Sequence, residues 1–199
     1  MKKYVMMVLA VAAMAGTVLF SACDNDDDPK KDNPEEEGGD PQQPSTVKQA
    51  FTYYLLTTQT TQDLIQMSID LTSNNDEKAA LNPDKAEKLT YEQLNDLDKA
   101  FLKPAYQLVQ ESGVTDMLVY KQTFSEQSKP ATLTAVSNFQ LKEGVVLDQE
   151  KYNLMISPIV RFGSNGSGTA HVNIGVKKDK MDTYLQSRMK YTSTTYSFE

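Results

Sequence analysis

Apolar residues in the part of the chain that follows residue 46 recur at intervals typical of a helix. Within residues 47–71 these intervals are three, four and seven, and the positions concerned are Val47, Phe51, Tyr54, Leu55, Ile65 and Ile69. Such spacing places apolar side chains on one face of an amphipathic helix. Residues 57–61 are poor helix formers because threonine loses side-chain freedom in a helix. The pattern predicts one helix, or two shorter helices separated at these threonines.

A second helical segment is predicted between residues 82 and 112. Asn82 followed by Pro83 offers one start, and Thr90 with Gln93 matches a capping box. Pro104 should kink or divide the helix, because proline lacks the N–H and crowds the preceding turn. Ser112 and Gly113 mark the end. The apolar positions at helical spacing are Leu94, Leu97, Phe101, Leu108 and Val109.

Beyond residue 114 the apolar and polar residues alternate, as in strands with one buried face. Pro158 indicates an edge or a bulge within one of these strands. Asn165-Gly166 is a strong hairpin signal inside a glycine-rich stretch. The candidate strands are residues 117–124, 133–141, 154–162 and 170–176.

The end of the chain gives two competing signals. Met181, Leu185 and Met189 suggest a short helix, whereas residues 190–198 look like a strand. Taken together, residues 46–112 are predicted to be mainly helical and residues 114–199 mainly strands. We therefore expect a single α+β domain over residues 46–199, with N-terminal helices packed on an antiparallel sheet formed by the C-terminal half.

The first 22 residues have the composition of a secretory signal peptide. Lys2 and Lys3 precede an apolar run over residues 4–20, and the small residues Ser21 and Ala22 come before Cys23, the chain's only cysteine. The run is shorter than the roughly 20 residues that a membrane-spanning helix needs. Residues 19–23 resemble the lipobox of bacterial lipoproteins. The resemblance implies cleavage before Cys23 and lipidation of Cys23, with palmitate among the attached acyl chains.

Four aspartates follow the cysteine: Asp24, Asp26, Asp27 and Asp28. This run is similar to the acidic export signal of surface-exposed lipoproteins of the Bacteroidota. The similarity implies an outer-membrane protein, anchored by lipid, that faces the cell surface. A domain that faces the periplasm is the alternative.

Charge is concentrated in the segment that joins the cysteine to the predicted domain. Residues 24–40 carry nine acids against Lys30 and Lys31, whereas the whole chain has a net charge of −7. Residues 23–45 also contain four prolines and no large apolar residue, which predicts a disordered, extended tether. The predicted domain is close to neutral, so we expect no nucleic-acid partner.

Few residues of the predicted domain indicate chemistry. His171 is the chain's only histidine and is expected to face solvent, and with Cys23 lipidated we expect no metal or cofactor. The acids Glu143, Asp148 and Glu150 fall in expected turns. The chain has no tryptophan, so binding through aromatic faces would depend on tyrosines. The candidates are Tyr120, Tyr152, Tyr184, Tyr191 and Tyr196, whereas Tyr53 and Tyr54 are expected to be packing residues.

Without a catalytic motif, the sequence favours a non-enzymatic binding or assembly module on a membrane tether. Its partner could be a glycan, a peptide or another outer-membrane protein. One alternative is an envelope hydrolase that uses two facing carboxylates. Another is a structural subunit of a fimbrial or envelope complex, which would present an unpaired strand edge.

Overall fold

A computed structural model describes residues 48–199, which form ten β-strands and three α-helices. The helices are α1 (Gln59–Leu64), α2 (Asp96–Glu111) and α3 (Met181–Thr192). The strands are β1 (Gln49–Thr58), β2 (Ile65–Ser73), β3 (Lys78–Leu81), β4 (Leu89–Thr90), β5 (Met117–Gln127), β6 (Ala131–Leu141), β7 (Lys151–Phe162), β8 (Asn165–Gly168), β9 (Val172–Lys177) and β10 (Thr194–Phe198).

The strands form two antiparallel sheets. Sheet A has the order β4-β5-β1-β7-β8, and β9 also pairs with β7. Sheet B has the order β10-β6-β2-β3. One face of sheet A packs against sheet B, and the opposite face packs against α2. Layer by layer, the order is therefore sheet B, sheet A and α2.

The central strand of sheet A contributes to two separate hydrophobic cores. Phe51, Tyr53 and Leu55 of β1 point towards sheet B, whereas Tyr54 and Leu56 point towards α2. Alternate residues of a strand point to opposite faces, so a strand between two layers is buried on both. All residues from 51 to 58 are buried as a result.

The predicted α+β arrangement, with N-terminal helices on a C-terminal sheet, is wrong. The described residues are mostly β-structure in two sheets, and residues 47–71, expected to be helical, contain β1, the six-residue α1 and β2. The side chain of Thr58 caps α1 by accepting a hydrogen bond from Thr61 N at 3.1 Å. The predicted break at the threonines does coincide with a change of structure. The elements that it separates are the strands β1 and β2, not two helices.

The second helical segment is predicted more accurately than the first. The capping box is present, with Thr90 N donating to Gln93 Oε1 at 2.8 Å, but it starts a short 3-10 turn. The true N-cap of α2 is Asn95, whose Oδ1 accepts from Asp98 N at 2.8 Å. Pro104 does not divide the helix, since α2 continues through it, and the alternative of a kink at Pro104 stays a prediction. The expected helix start at Asn82 is also wrong, because this residue forms a turn.

The strands predicted in the second half are confirmed, and so are both signals at the end of the chain, as α3 followed by β10. A hairpin is present between β7 and β8, where Phe162 pairs with Asn165, but the predicted place of its turn at Asn165-Gly166 is wrong. Gly163 and Ser164 form its turn, and Asn165-Gly166 opens β8. The expectation of an edge or a bulge at Pro158 is wrong, since β7 is an inner strand and its register does not shift at this residue.

In the gap between the end of β8 and the start of β9, the side chains of Ser157 and Arg188 form hydrogen bonds with the backbone. Pro158 of β7, which has no N–H to donate, lies opposite this interruption. The Ser157 hydroxyl accepts from His171 N at 2.8 Å and donates to His171 O at 3.1 Å. Arg188 of α3 donates from Nη2 to Ile156 O. The edge of sheet A is thereby joined to α3.

Candidate functional site

An open groove lies beside the C-terminal half of α3, with a volume of about 570 Å³. We call it the α3 groove. Three segments form its walls: one residue of β8, three of α3 and three of β10, which follows α3 directly in the chain. Its lining residues are Ser167, Ser187, Lys190, Tyr191, Thr194, Thr195 and Tyr196.

Two sheet edges border this groove. β8 is the last strand on one side of sheet A, and β10 is the last strand on one side of sheet B. α3 leads into β10 through Ser193, whose hydroxyl accepts a hydrogen bond from Ser137 N of β6 at 2.9 Å. This contact fixes the position at which the chain turns from helix to strand. The groove therefore has two strands and one helix as a rigid frame.

Tyr191 is the most exposed aromatic residue of the groove, at 40%. The Arg188 guanidinium lies 4.3 Å from the centre of its ring. The His171 ring meets it edge-on, at 5.5 Å between ring centres and 87° between ring planes. A cation over the face and an aromatic edge both hold a tyrosine ring in one orientation. Tyr191 is thus positioned before any ligand arrives.

Arg188 brings a positive charge close to the groove. It is only 8% exposed, and none of the ion pairs among the described residues includes it. Its Nε has no hydrogen-bond partner within residues 48–199. Burial lowers the pKa of Arg188 below its ordinary value, but such a high starting value leaves the guanidinium charged. Arg188, beside Tyr191, and Lys190, in the lining, thus place two positive charges at the groove.

The same environment changes the pKa of His171. Burial first, and then the charge of Arg188, lower the pKa of the imidazole below 6.5. The expectation that His171 is exposed is confirmed, although the residue precedes β9 instead of lying within it. The lowered pKa favours the neutral form of the ring.

A second polar cluster lies between α2 and sheet A, away from the residues that line the groove. Asp98 is 2% exposed and accepts hydrogen bonds from Tyr54 Oη at 2.5 Å, Lys121 Nζ at 2.9 Å and Arg161 Nη2 at 3.2 Å. Burial raises the pKa of this carboxyl, but the bonds from Tyr54 and Lys121 outweigh it, and the net shift is downward. Every polar group in the cluster has a partner, and the cluster fastens α2 to the sheet.

The remaining residues singled out in the sequence are dispersed. Glu143, Asp148 and Glu150 lie in the irregular segment between β6 and β7, as expected. Tyr53 and Tyr54 are fully buried, which confirms that they are packing residues. Of the other tyrosines, Tyr191 and Tyr196 line the groove. Tyr120, Tyr152 and Tyr184 belong to the core, and so does Tyr196, which is only 6% exposed. Cys23 and the acidic residues Asp24, Asp26, Asp27 and Asp28 lie outside the described residues.

Two other kinds of site concern residues 48–199, namely a metal centre and a membrane-spanning helix. This part of the chain contains no group of three or more histidine, cysteine or acidic side chains arranged to hold a metal ion. None of its helices combines the length and the apolar composition required to cross a bilayer.

Of the residues that form the α3 groove, only Tyr191 and Tyr196 are candidates from the sequence, and the others could not be identified from it. Ser167 and Thr195 are small polar residues in strands, with no spacing that indicates a shared site. Their proximity depends on β8 and β10 being edge strands on the same side of the two sheets. Comparison with known proteins does not supply an identity, since no protein-family model, no curated protein and no solved structure matches this chain.

Proposed function

We propose that this protein is a bacterial lipoprotein, anchored to the outer membrane through Cys23, whose folded part is a non-enzymatic binding module. The ligand is bound in the α3 groove. The lipobox-like residues 19–23 and the four aspartates that follow them support the anchor and an orientation towards the cell surface. The groove supports the binding role, and it is the observation that carries the proposal.

The dimensions and lining of the groove suit a small polar ligand or a short segment of a larger one. Its volume lies within the roughly 300–1,000 Å³ typical of ligand sites. Four of its side chains are serine or threonine, which donate and accept hydrogen bonds without a charge. Tyr191 adds a flat apolar surface whose orientation is already fixed by Arg188 and His171. Preorganised contacts of this kind lower the entropic cost of binding.

The anchor is tested with the full-length chain in a bacterial host fed an alkyne-labelled fatty acid. We expect label on the wild type and none on Cys23→Ser. Protease treatment of intact cells should then remove the domain from the surface. An unlabelled wild type would overturn the anchor, and a labelled but protected domain would place it in the periplasm.

The binding role is tested with the chain from residue 23 onwards, carrying Cys23→Ser, on panels of glycans and peptides. We expect Tyr191→Ala to weaken the binding of any hit at least tenfold, because a central aromatic contact is lost. Tyr106→Ala, on α2, is the matched control and should change binding less than twofold. Turnover of a substrate without any stable binding would contradict the proposal.

A further inference from the structure

The outer edge of β10 is unpaired. β10 forms its antiparallel ladder with β6 on one side only. Alternate residues of such a strand direct their backbone N–H and C=O groups away from the ladder. These outward groups have no backbone partner among residues 48–199, and just beyond the strand Glu199 O accepts from the Lys129 side chain. β10 therefore presents a row of donors and acceptors at the side of sheet B.

The other edge strands carry features that prevent pairing, and β10 does not. Natural sheets protect their edges with very short strands, charges, glycine, proline or bulges. β4 has two residues, β3 begins with Lys78, β8 contains two glycines, and β9 contains a glycine and ends in Lys177. β10 has five residues, Thr-Thr-Tyr-Ser-Phe, with none of these features. It is the edge most open to another strand.

The α3 groove lies directly along this edge, since Thr194, Thr195 and Tyr196 belong to both. A chain that paired with β10 would therefore occupy the groove. Of the seven lining side chains, Lys190 is the only charged one. The buried Arg188 behind Tyr191 has the same sign and no acidic partner in the described residues. The occupant that complements this surface carries negative charge.

We infer that the α3 groove binds an acidic peptide in extended conformation, which adds a strand to the edge of β10. The inference rests on the proposed binding function and specifies its ligand class. Main-chain hydrogen bonds to β10 provide affinity, and alternate side chains of the peptide contact Tyr191 and Lys190. β10 is about 17 Å long at ~3.4 Å per residue, which is enough for about five residues of ligand.

A second copy of the chain is a less suitable occupant than a peptide. Stable protein interfaces bury roughly 1,200–2,000 Å² in total. Pairing of two five-residue edges covers roughly 17 Å by 10 Å on each chain, which is only a few hundred Å². A second copy would also bring a second Lys190 towards the first. A peptide needs less area and can bring the acidic group that the surface lacks.

The ligand class is tested by selecting a phage-displayed library of random octapeptides on the chain from residue 23 onwards, with Cys23→Ser. We expect enriched peptides to be acidic, and their binding is then measured by fluorescence anisotropy with synthetic copies. Lys190→Glu should weaken binding at least tenfold, whereas Lys103→Glu, the same charge change on α2, should change it less than twofold. Equal binding to both variants would overturn the inference.

The strand geometry is tested by N-methylating the backbone of the selected peptide one residue at a time. N-methylation removes a donor and blocks the approach of a strand, so losses of tenfold or more should occur at every second residue. Losses without this alternation, or no enriched peptide at all, would overturn strand addition.

Two outcomes would contradict an acidic peptide as the ligand and would still be consistent with a binding module. One is a neutral oligosaccharide that binds and depends on Tyr191. The other is dimerisation at micromolar concentration, detected by sedimentation, that Lys190→Glu alters. Absence of lipid on Cys23 would contradict only the proposed anchor, since the peptide measurements use unlipidated protein. The two proposals can thus fail separately.

Discussion

Replacing Asp98 with alanine should destabilise the domain by about 3–5 kcal/mol, the usual cost of removing one partner from a buried ion pair. Most of this cost comes from the groups left behind. Tyr54 Oη is fully buried and loses its acceptor, and Arg161, at 14% side-chain exposure, loses its only carboxylate. Each buried polar group left without a partner costs about 1–3 kcal/mol. Lys121 adds little, because its side chain is 34% exposed and can be solvated by water.

The measurement is urea denaturation at pH 7, with Asp84→Ala as the matched control. Asp84 also forms an ion pair, with Lys142, but both side chains are about one-third exposed. We expect less than about 1 kcal/mol from the control, as for other surface pairs. Values for Asp98→Ala below about 1 kcal/mol would refute the assignment of this cluster as the fastening of α2. Loss of Asp98 should also reduce the unfolding free energy more than it reduces peptide binding.

The pH dependence of a second variant at this position, Asp98→Asn, tests the electrostatic part of the argument. The pKa of Asp98 is lowered in the folded state, so its ionised form stabilises the fold at pH values above the unfolded pKa of about 3.9. This stabilisation is lost as pH falls through the lower, folded pKa. The difference in unfolding free energy between the wild type and Asp98→Asn should be constant above about pH 5 and shrink below about pH 4. A difference independent of pH would contradict the sign of the shift.

Two further predictions concern the surroundings of the β8–β9 interruption. His171, as the only histidine, gives a single imidazole signal in NMR; we expect a pKa below 6.5 that rises in Arg188→Leu, and an unchanged value would contradict their proximity. Gly168→Ala should cost about 3 kcal/mol in thermal or urea unfolding, because φ is +112° and the new Cβ would lie 2.4 Å from Pro158 O. Gly144→Ala, with φ of +75° and open space around it, should cost only about 1 kcal/mol, and equal losses would show that the contact with Pro158 is not limiting.

The error over residues 47–71 has a physical cause. β1 is covered by sheet B on one face and by α2 on the other, so its apolar residues are continuous and have no period of two. A short continuous run is consistent with a buried strand as well as with a helix. The aromatic and threonine residues of β1 favour a strand. The four-residue spacing of residues such as Phe51 and Leu55 favours a helix, and the wrong prediction rests on that spacing.

β2 shows that the information was partly present in the sequence. Ile65, Met67, Ile69 and Leu71 are buried, and the residues between them are half-buried or exposed, which is the alternation of a one-sided strand. Ile65 and Ile69 are also four residues apart, and they fit a helical stripe equally well. In β6 and α2, where one face is covered and the spacing fits a single period, the period identifies the element correctly. The α3 groove depends on strand order, which no local pattern encodes.

The position of β1 also determines how the domain would carry a mechanical load. If lipid on Cys23 holds the chain to a membrane, a pull from outside reaches the fold at the N-terminal end of β1. This strand is hydrogen-bonded along its length to β5 on one side and to β7 on the other. Force along its axis shears both ladders together instead of opening one bond after another. If fluid flow pulled on a peptide bound to β10, the force would therefore be resisted by β1, a strand paired on both edges and buried on both faces.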